Sequence, residues 1–211
     1  MPVSPIARLL HERHSIRSYD DRRPITLAEL ARFLDGSARV QTRFGNSAYD
    51  GGPVVAYAPR PYPSGGGSYE LELYLAVDTC EGLARGFYHY DAGGHALVPI
   101  SVRPHELDAL LRGAQFAMDT PAAPQILITI AARFGRVSWK YSSIAYSLIL
   151  KDVGVLIQTF YLMATDMRLG GCAIGITNID LFAKMTGIEF HVEGPVGQFA
   201  IGRGAKSGAS D

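Results

Sequence analysis

Between Ile144 and Leu169 the chain carries its longest periodic apolar pattern, and any fold must find cover for it. Ile149, Val153, Leu156, Phe160, Met163 and Met167 recur at spacings of four, three, four, three and four. On a 3.6-residue helix that alternation keeps one stripe facing a partner. Leu148, Val155, Leu162 and Leu169 recur every seven residues and widen the stripe. The pattern predicts a long helix, stopped by Gly170 and Gly171. It is either a core helix or a core helix that also builds an interface with a second copy. At 211 residues the chain is long enough for one good core and short for two, so residues 1–211 are expected to form a single domain.

Around this helix the other elements are shorter. Residues 5–12 and 26–35 read as amphipathic helices; Thr26 with Glu29 makes a capping box, and Gly36 is expected to end the second helix. "LELYLAV" (71–77) alternates Leu71, Leu73, Leu75 and Val77 against Glu72, Tyr74 and Ala76, a strand pattern. "GFYHY" and "HALVPI" flank the turn "DAGG" as a hairpin. Residues 104–112 predict a helix, "QILITIA" (125–131) a buried strand, 179–186 a helix and "VGQFAIG" a last strand. Residues 43–68 lack a period and read as a long loop. Strands joined both by hairpins and by helices argue for an α+β fold rather than a doubly wound sheet.

Charge and cysteine content exclude several classes. Twenty acidic and twenty basic residues give zero formal net charge, so there is no electrostatic footprint for nucleic acid or for a polybasic membrane patch. Cys80 and Cys172 make neither a disulfide framework nor a metal-ligand spacing. His89 and His95 sit on hairpin strands away from any acidic cluster, so no metal is expected. With no signal sequence and no uninterrupted apolar run near about 18 residues, a cytoplasmic protein is the default expectation.

Four segments carry chemistry. Arg13, His14, Ser15 and Arg17 combine cationic donors with a hydroxyl over five residues; they suit phosphate oxygens, or form a solvated basic turn. Arg203 follows the last strand in "IGRGAKS", with Lys206 behind it. "PSGGGS" (63–68) has three consecutive glycines whose backbone could lie flat against a planar ligand, or serve as a linker. It precedes a strand and no helix follows, which rejects the dinucleotide-binding fingerprint. "GGCAIG" (170–175) is expected to be a turn with little side-chain bulk. Finally, "SWKYSSIAY" (138–146) sets Lys140 beside Tyr141, either a surface pair at a helix mouth or acid/base machinery. Tyr57, Arg60 and Tyr62 are loop residues that could meet a peptide, and Trp139 could stand at a cofactor mouth.

The motif Arg13-His14-Ser15-x-Arg17 resembles the opening phosphate motif of the FMN-dependent nitroreductase superfamily. "PYPSGGGSYELELYL", "GFYHYD…HAL", "WKYSSIAYSLILKDVGVLIQTFYL" and "GPVGQFAIG" resemble its SagB-type dehydrogenase branch, whose members oxidise thiazolines or oxazolines to thiazoles or oxazoles in modified peptides. The resemblance covers roughly residues 8–204 and implies a central, mostly antiparallel sheet flanked by helices, with the long helix at a homodimer interface. It implies that Arg13, His14, Ser15 and Arg17, joined by Arg203, hold the FMN phosphate and ribityl. It also implies that Pro63, Ser64, Gly65 and Gly66 line the isoalloxazine, with Cys172, Ala173, Ile174 and Gly175 opposite the flavin. Ile174 stands where many nitroreductases carry an acidic residue, which favours peptide oxidation over nicotinamide-driven nitro reduction.

On that resemblance Lys140 and Tyr141 are the catalytic acid/base pair. Unperturbed lysine and tyrosine titrate at about 10.4 and about 10, so a base at neutral pH requires burial or a neighbouring cation to lower the lysine. The implied partners are a peptide substrate, free or carrier-bound, and a cyclodehydratase or synthetase. Two other functions stay open: an NAD(P)H-dependent nitro- or quinone reductase, and a flavin-binding scaffold subunit.

Overall fold

Leu71–Val77 is the strand on which the molecule is laid out: its alternate side chains enter two different cores. The computed structural model describes residues 4–42, 44–47 and 54–205. Their helices are α1 (Pro5–Glu12), α2 (Leu27–Ala38), α3 (Pro104–Met118), α4 (Gly135–Ser138), α5 (Ala145–Asp166) and α6 (Ile179–Thr186). The strands are β1 (Phe44–Ser47), β2 (Val54–Tyr57), β3 (Leu71–Val77), β4 (Gly86–Asp91), β5 (Ala96–Ile100), β6 (Ile126–Arg133), β7 (Gly170–Ile174) and β8 (Glu193–Gly202). Six strands form one antiparallel sheet in the order β5-β4-β3-β6-β8-β7, and β1 with β2 forms a separate antiparallel ribbon.

Leu71, Leu73, Leu75 and Val77 pack with Leu30, Phe33 and Leu34 of α2 and with Ile149, Leu156 and Phe160 of α5. Tyr74 and Ala76 point the other way, into a core with Leu107, Leu110 and Leu111 of α3 and Phe182 and Met185 of α6. The sheet is therefore covered on both faces, and all seven residues of β3 are buried. Glu72 tolerates this because His89, Arg60 and Arg133 gather round its carboxylate; burial pushes it up, but these partners hold it below the usual range.

α5 packs on α2, β3, β7 and β8. At its centre the rings of Phe33 and Phe160 lie 5.2 Å apart and those of Phe160 and Phe199 5.3 Å apart. By length and composition α5 could also cross a membrane, with a mean hydropathy of 1.4, although Lys151 and Asp152 interrupt its apolar run. In this fold its apolar face is core instead. Two large residues on its other side, Tyr146 and Leu150, stay exposed, as does Ile144 just before it.

Other expectations need correction. α2 runs through Gly36 to Ala38; an added Cβ at Gly36 would come within 2.5 Å of the Met163 methyl, so this glycine admits α5 rather than ending a helix. The stretch 43–68 contains the β1–β2 ribbon and a 3-10 turn at Gly65–Gly67. Segment 170–175 is mostly the edge strand β7, not a turn, and α3 continues to Met118. The capping box stands: the Thr26 hydroxyl accepts from the Glu29 N–H at 3.2 Å, while Glu29 accepts from the Thr26 N–H at 3.0 Å.

Phe160→Ala should lower unfolding stability by about 3–5 kcal/mol, measured by urea denaturation, because the ring is fully buried between two others.

Candidate functional site

The opening motif is held by one residue of α5. Tyr161 is nearly buried; its hydroxyl lies 2.8 Å from Ser15 Oγ and accepts the Ala173 N–H at 2.9 Å. Arg13 places its guanidinium carbon 5.0 Å from the centre of the Tyr161 ring, a cation–π arrangement. The Ile16 N–H donates to the Gly171 carbonyl at 2.9 Å, tying the motif to β7. Ser15 and Arg17 both reach the Cys172 sulfur. Burial pushes that thiol up, although Arg17 and Ser15 pull it down, so it is held as a thiol and not as a nucleophile. Arg13 and Arg17 have no carboxylate partner among the described residues, and Arg17 and His14 are exposed. Two guanidinium groups free of carboxylates among the described residues, around a fixed serine, fit a phosphate.

Arg203 is placed differently. Its Nη2 donates to both Glu29 oxygens, at 2.7 and 2.5 Å, and its Nε to the Arg23 carbonyl at 3.2 Å. Burial raises Glu29, but Arg203 and the Thr26 cap outweigh it and hold the carboxylate below its usual range. The guanidinium thus closes the start of α2, and a second anion would have to displace Glu29. Lys206 lies outside the described residues, as does the Tyr57 side chain.

The second cluster surrounds the glycine turn. Asp152 Oδ2, on α5, accepts from the Gly65 N–H at 2.8 Å and from the Ser64 hydroxyl at 2.9 Å. Gly66 has φ +62°, a left-handed conformation that favours glycine. A Cβ there would lie 2.5 Å from the Tyr141 hydroxyl oxygen and 3.2 Å from Lys140 Nζ. The glycine turn and the Lys140–Tyr141 pair, about 75 residues apart in sequence, are therefore in contact. Lys140 Nζ is 5.4 Å from the centre of the Tyr141 ring. Tyr141 is half-buried and Lys140 exposed, so one chain alone does not supply the burial on which the sequence reading relies. Pro63 is exposed, and Trp139 is exposed with its indole N–H donating to the Arg136 carbonyl at 3.0 Å. Arg60 and Tyr62 are buried at 8% and 1% exposure, which removes them from any peptide-facing surface.

The two clusters sit on different sides of one helix. Asp152 and Tyr161 are nine residues apart on α5, roughly 13 Å along the axis and about half a turn round it. In β7 the Cys172 and Ile174 side chains are buried, Ala173 is half-buried, and Gly175 just beyond it has open space around its Cα. Sequence reasoning missed Tyr161, Asp152 and Glu70. Tyr161 reads as one more apolar helix residue. Asp152 offers one signal, a lone acid in the apolar stripe beside Val153.

Comparison with known proteins agrees with this architecture. Residues 10–203 match the model described as "Nitroreductase family". A provisionally named nitroreductase from Methanocaldococcus jannaschii is 30% identical over 169 residues, covering 79% of this chain and 76% of that protein. A crystal structure of a provisionally named nitroreductase from Ralstonia eutropha aligns with TM-score 0.71 at 21% identity, covering 98% of this chain and 86% of the other. A chain of the E. coli microcin synthetase McbBCD complex, solved with truncated pro-MccB17 bound, aligns with TM-score 0.72 at 20% identity, covering 98% and 74%.

Tyr161→Phe removes the acceptor of the Ala173 N–H and the partner of Ser15. It should cost about 1–3 kcal/mol of stability in urea denaturation, while Tyr161→Trp, which also overfills the site, should cost more.

Proposed function

The chain belongs to the nitroreductase family, whose members generally bind flavin, and on that premise we propose that it is an FMN-dependent dehydrogenase of the SagB type. It would act as a single cytoplasmic domain, residues 1–211, oxidising thiazoline or oxazoline rings of a peptide to thiazoles or oxazoles. The observation that carries the reading is the contact between the glycine turn and the Lys140–Tyr141 pair. A turn that allows flat approach and an acid/base pair against it is what a ring oxidation with proton removal requires.

The residues fit the cofactor in two halves. Arg13, Ser15 and Arg17, with His14 beside them, would hold the phosphate and ribityl. Ser64, Gly65 and Gly66, with Pro63, would lie along the ring, and Cys172 to Gly175 would close the flavin's other side. Arg203 would act indirectly, by fixing the start of α2 through Glu29. Because the halves face different sides of α5, two copies of the chain would together complete each site. The exposed Ile144, Tyr146 and Leu150 on and beside α5, with Ile6 and Leu10 on α1, supply apolar surface for that homodimer.

Bound flavin would supply a two-electron acceptor for one ring hydrogen as hydride, with oxygen as the final acceptor. The neighbouring carbon must lose a proton, and Lys140 would take it, with Tyr141 orienting the ring or relaying the proton. A second copy covering the exposed Lys140 would shield the pair from solvent. That a synthetase complex solved with a pro-peptide contains a chain of this fold supports a peptide substrate and a cyclodehydratase or synthetase partner. The alternative, an NAD(P)H-dependent nitro- or quinone reductase, is favoured by the names of other relatives.

The test uses FMN-loaded protein and azoline-containing peptides followed by mass spectrometry. Loss of two hydrogens without NAD(P)H is expected. Lys140→Ala and Tyr141→Phe should each keep the flavin and lower turnover by about 10²–10⁴-fold, the usual worth of a positioned acid or base. NAD(P)H-driven nitroaromatic reduction with no azole formed would establish the alternative.

A further inference from the structure

Beneath the glycine turn lies a second acid that the proposed chemistry does not use. Glu70 immediately precedes β3 and is fully buried, and its Oε1 has no hydrogen-bond partner. Its Oε2 is 3.2 Å from Ser64 Oγ, which in turn is 2.9 Å from Asp152 Oδ2 and accepts the Tyr69 N–H at 2.9 Å. The Glu70 and Asp152 carboxyls also lie against each other.

Counting protons decides the arrangement. A serine hydroxyl has one hydrogen and two lone pairs. Asp152 Oδ2 already receives the Gly65 N–H, and Ser64 can give its one hydrogen either to that oxygen at 2.9 Å or to Glu70 Oε2 at 3.2 Å, the shorter contact being to Asp152. One Ser64 lone pair takes the Tyr69 N–H. With one hydroxyl hydrogen for two carboxyl oxygens, one acid must carry a proton; when Ser64 donates to Asp152, which also receives the Gly65 N–H, the proton falls to the fully buried Glu70. The order is then Glu70 O–H to Ser64 O–H to Asp152 carboxylate, which also receives the Gly65 N–H. One carboxyl is ionised and one is neutral, as two acids sharing a buried site require. Of the other groups nearby, Tyr62 faces Glu70 from the incoming segment, Arg60 is directed to Glu72 and the Leu71 carbonyl, and the Glu70 carbonyl accepts the Arg133 N–H at 3.0 Å. Lys140 and Tyr141 lie beyond Gly66.

We propose that Glu70, Ser64 and Asp152 form a one-proton relay that positions the glycine turn, setting Gly66 against Tyr141 and hence the surface offered to the flavin ring. Glu70 and Asp152 are positioning residues in this scheme, and neither touches the reacting atoms. The inference deepens the proposed function and rests on it only for the identity of the ring. Losing the Glu70 proton leaves a single Ser64 hydrogen between two carboxylates, so the turn loosens. Burial and the Asp152 charge push Glu70 up to about 7, against an ordinary 4.5. A raised acid stabilises the closed turn fully below the ordinary value, and this contribution is lost as pH rises through the higher one.

Hydrogen exchange of the Gly65 and Tyr69 amides in the full-length, flavin-free chain reads this directly. After correction for intrinsic rates, opening in the wild type should rise by up to about tenfold per pH unit between about 4.5 and about 7, then level off. Glu70→Gln keeps a donor for Ser64 and cannot ionise, so its profile should be flat. Asp152→Asn removes the neighbouring anion and should move the rise to lower pH. Identical profiles in the wild type and Glu70→Gln, or a Glu70 carboxyl titrating in the ordinary range by carboxyl carbon NMR, would overturn the relay. FMN titration by fluorescence separates the two readings. Affinity that weakens with pH in the wild type but not in Glu70→Gln ties the relay to flavin. A relay present by exchange but without effect on FMN affinity would overturn its link to the flavin surface and count against the proposed placement of the ring, leaving the Lys140–Tyr141 test untouched.

Discussion

Two hydrogen-bonding side chains on one apolar helix organise the rest of the molecule. α5 must be buried because its sequence offers an apolar face too wide for solvent, yet Asp152 and Tyr161 go into the interior with it. A buried polar group left unpaired costs about 1–3 kcal/mol, and more for a charge. Each therefore recruits partners from distant chain: Asp152 takes the Ser64–Gly65 turn, and Tyr161 takes Ser15 and the Ala173 N–H. The loops that hold the candidate site residues are thus tied to the helix by the bonds that satisfy it.

The same reasoning separates the basic residues that can serve an anion from those that cannot. Arg203 looked equivalent to Arg13 and Arg17 because all three follow or precede ordered elements near glycine or serine. Its guanidinium instead faces a carboxylate that is also the N3 residue of a capping box. An arginine paired with two oxygens of one carboxylate has strong, directional bonds to lose before it can bind phosphate. Arg13 lies over an aromatic ring, a weaker contact that leaves its N–H groups directed elsewhere. Geometry assigns these arginines different work although their residue type is the same.

What was legible in the sequence was periodic or local. The stripe of α5, the Thr26–Glu29 box, the β4–β5 hairpin and the α+β character depend on neighbours within a few residues, and they appear as read. Long-range reasons for a residue were not legible. Gly36 resembles a helix stop, but it is there because Met163 comes from another helix. Glu72 resembles the solvent face of an alternating strand, but both faces of β3 are covered and its carboxylate is paired with Arg60, Arg133 and His89; Glu70, just before it, is buried as well. Arg60 and Tyr62 look like binding residues in a loop and are interior ones. The motif at 13–17 and the Lys140–Tyr141 pair could be named from the sequence; that Gly66 touches the latter could not.

The buried acids also bear on why a glycine-rich turn is held at several points. Three consecutive glycines free in solution sample many conformations, and ordering each costs about 1–2 kcal/mol of backbone entropy. A turn that ordered itself only on ligand binding would subtract that cost from affinity. Here Asp152 and Ser64 order it beforehand through bonds to Gly65 and Tyr69 that use backbone N–H groups and leave Gly66 exposed, with Tyr141 and Lys140 beside it. The glycines thus provide a bare backbone surface, while the side chains that hold it lie on the side facing α5. A flat ring could approach the exposed side of that turn without meeting a Cβ, and Lys140 and Tyr141 stand at its edge.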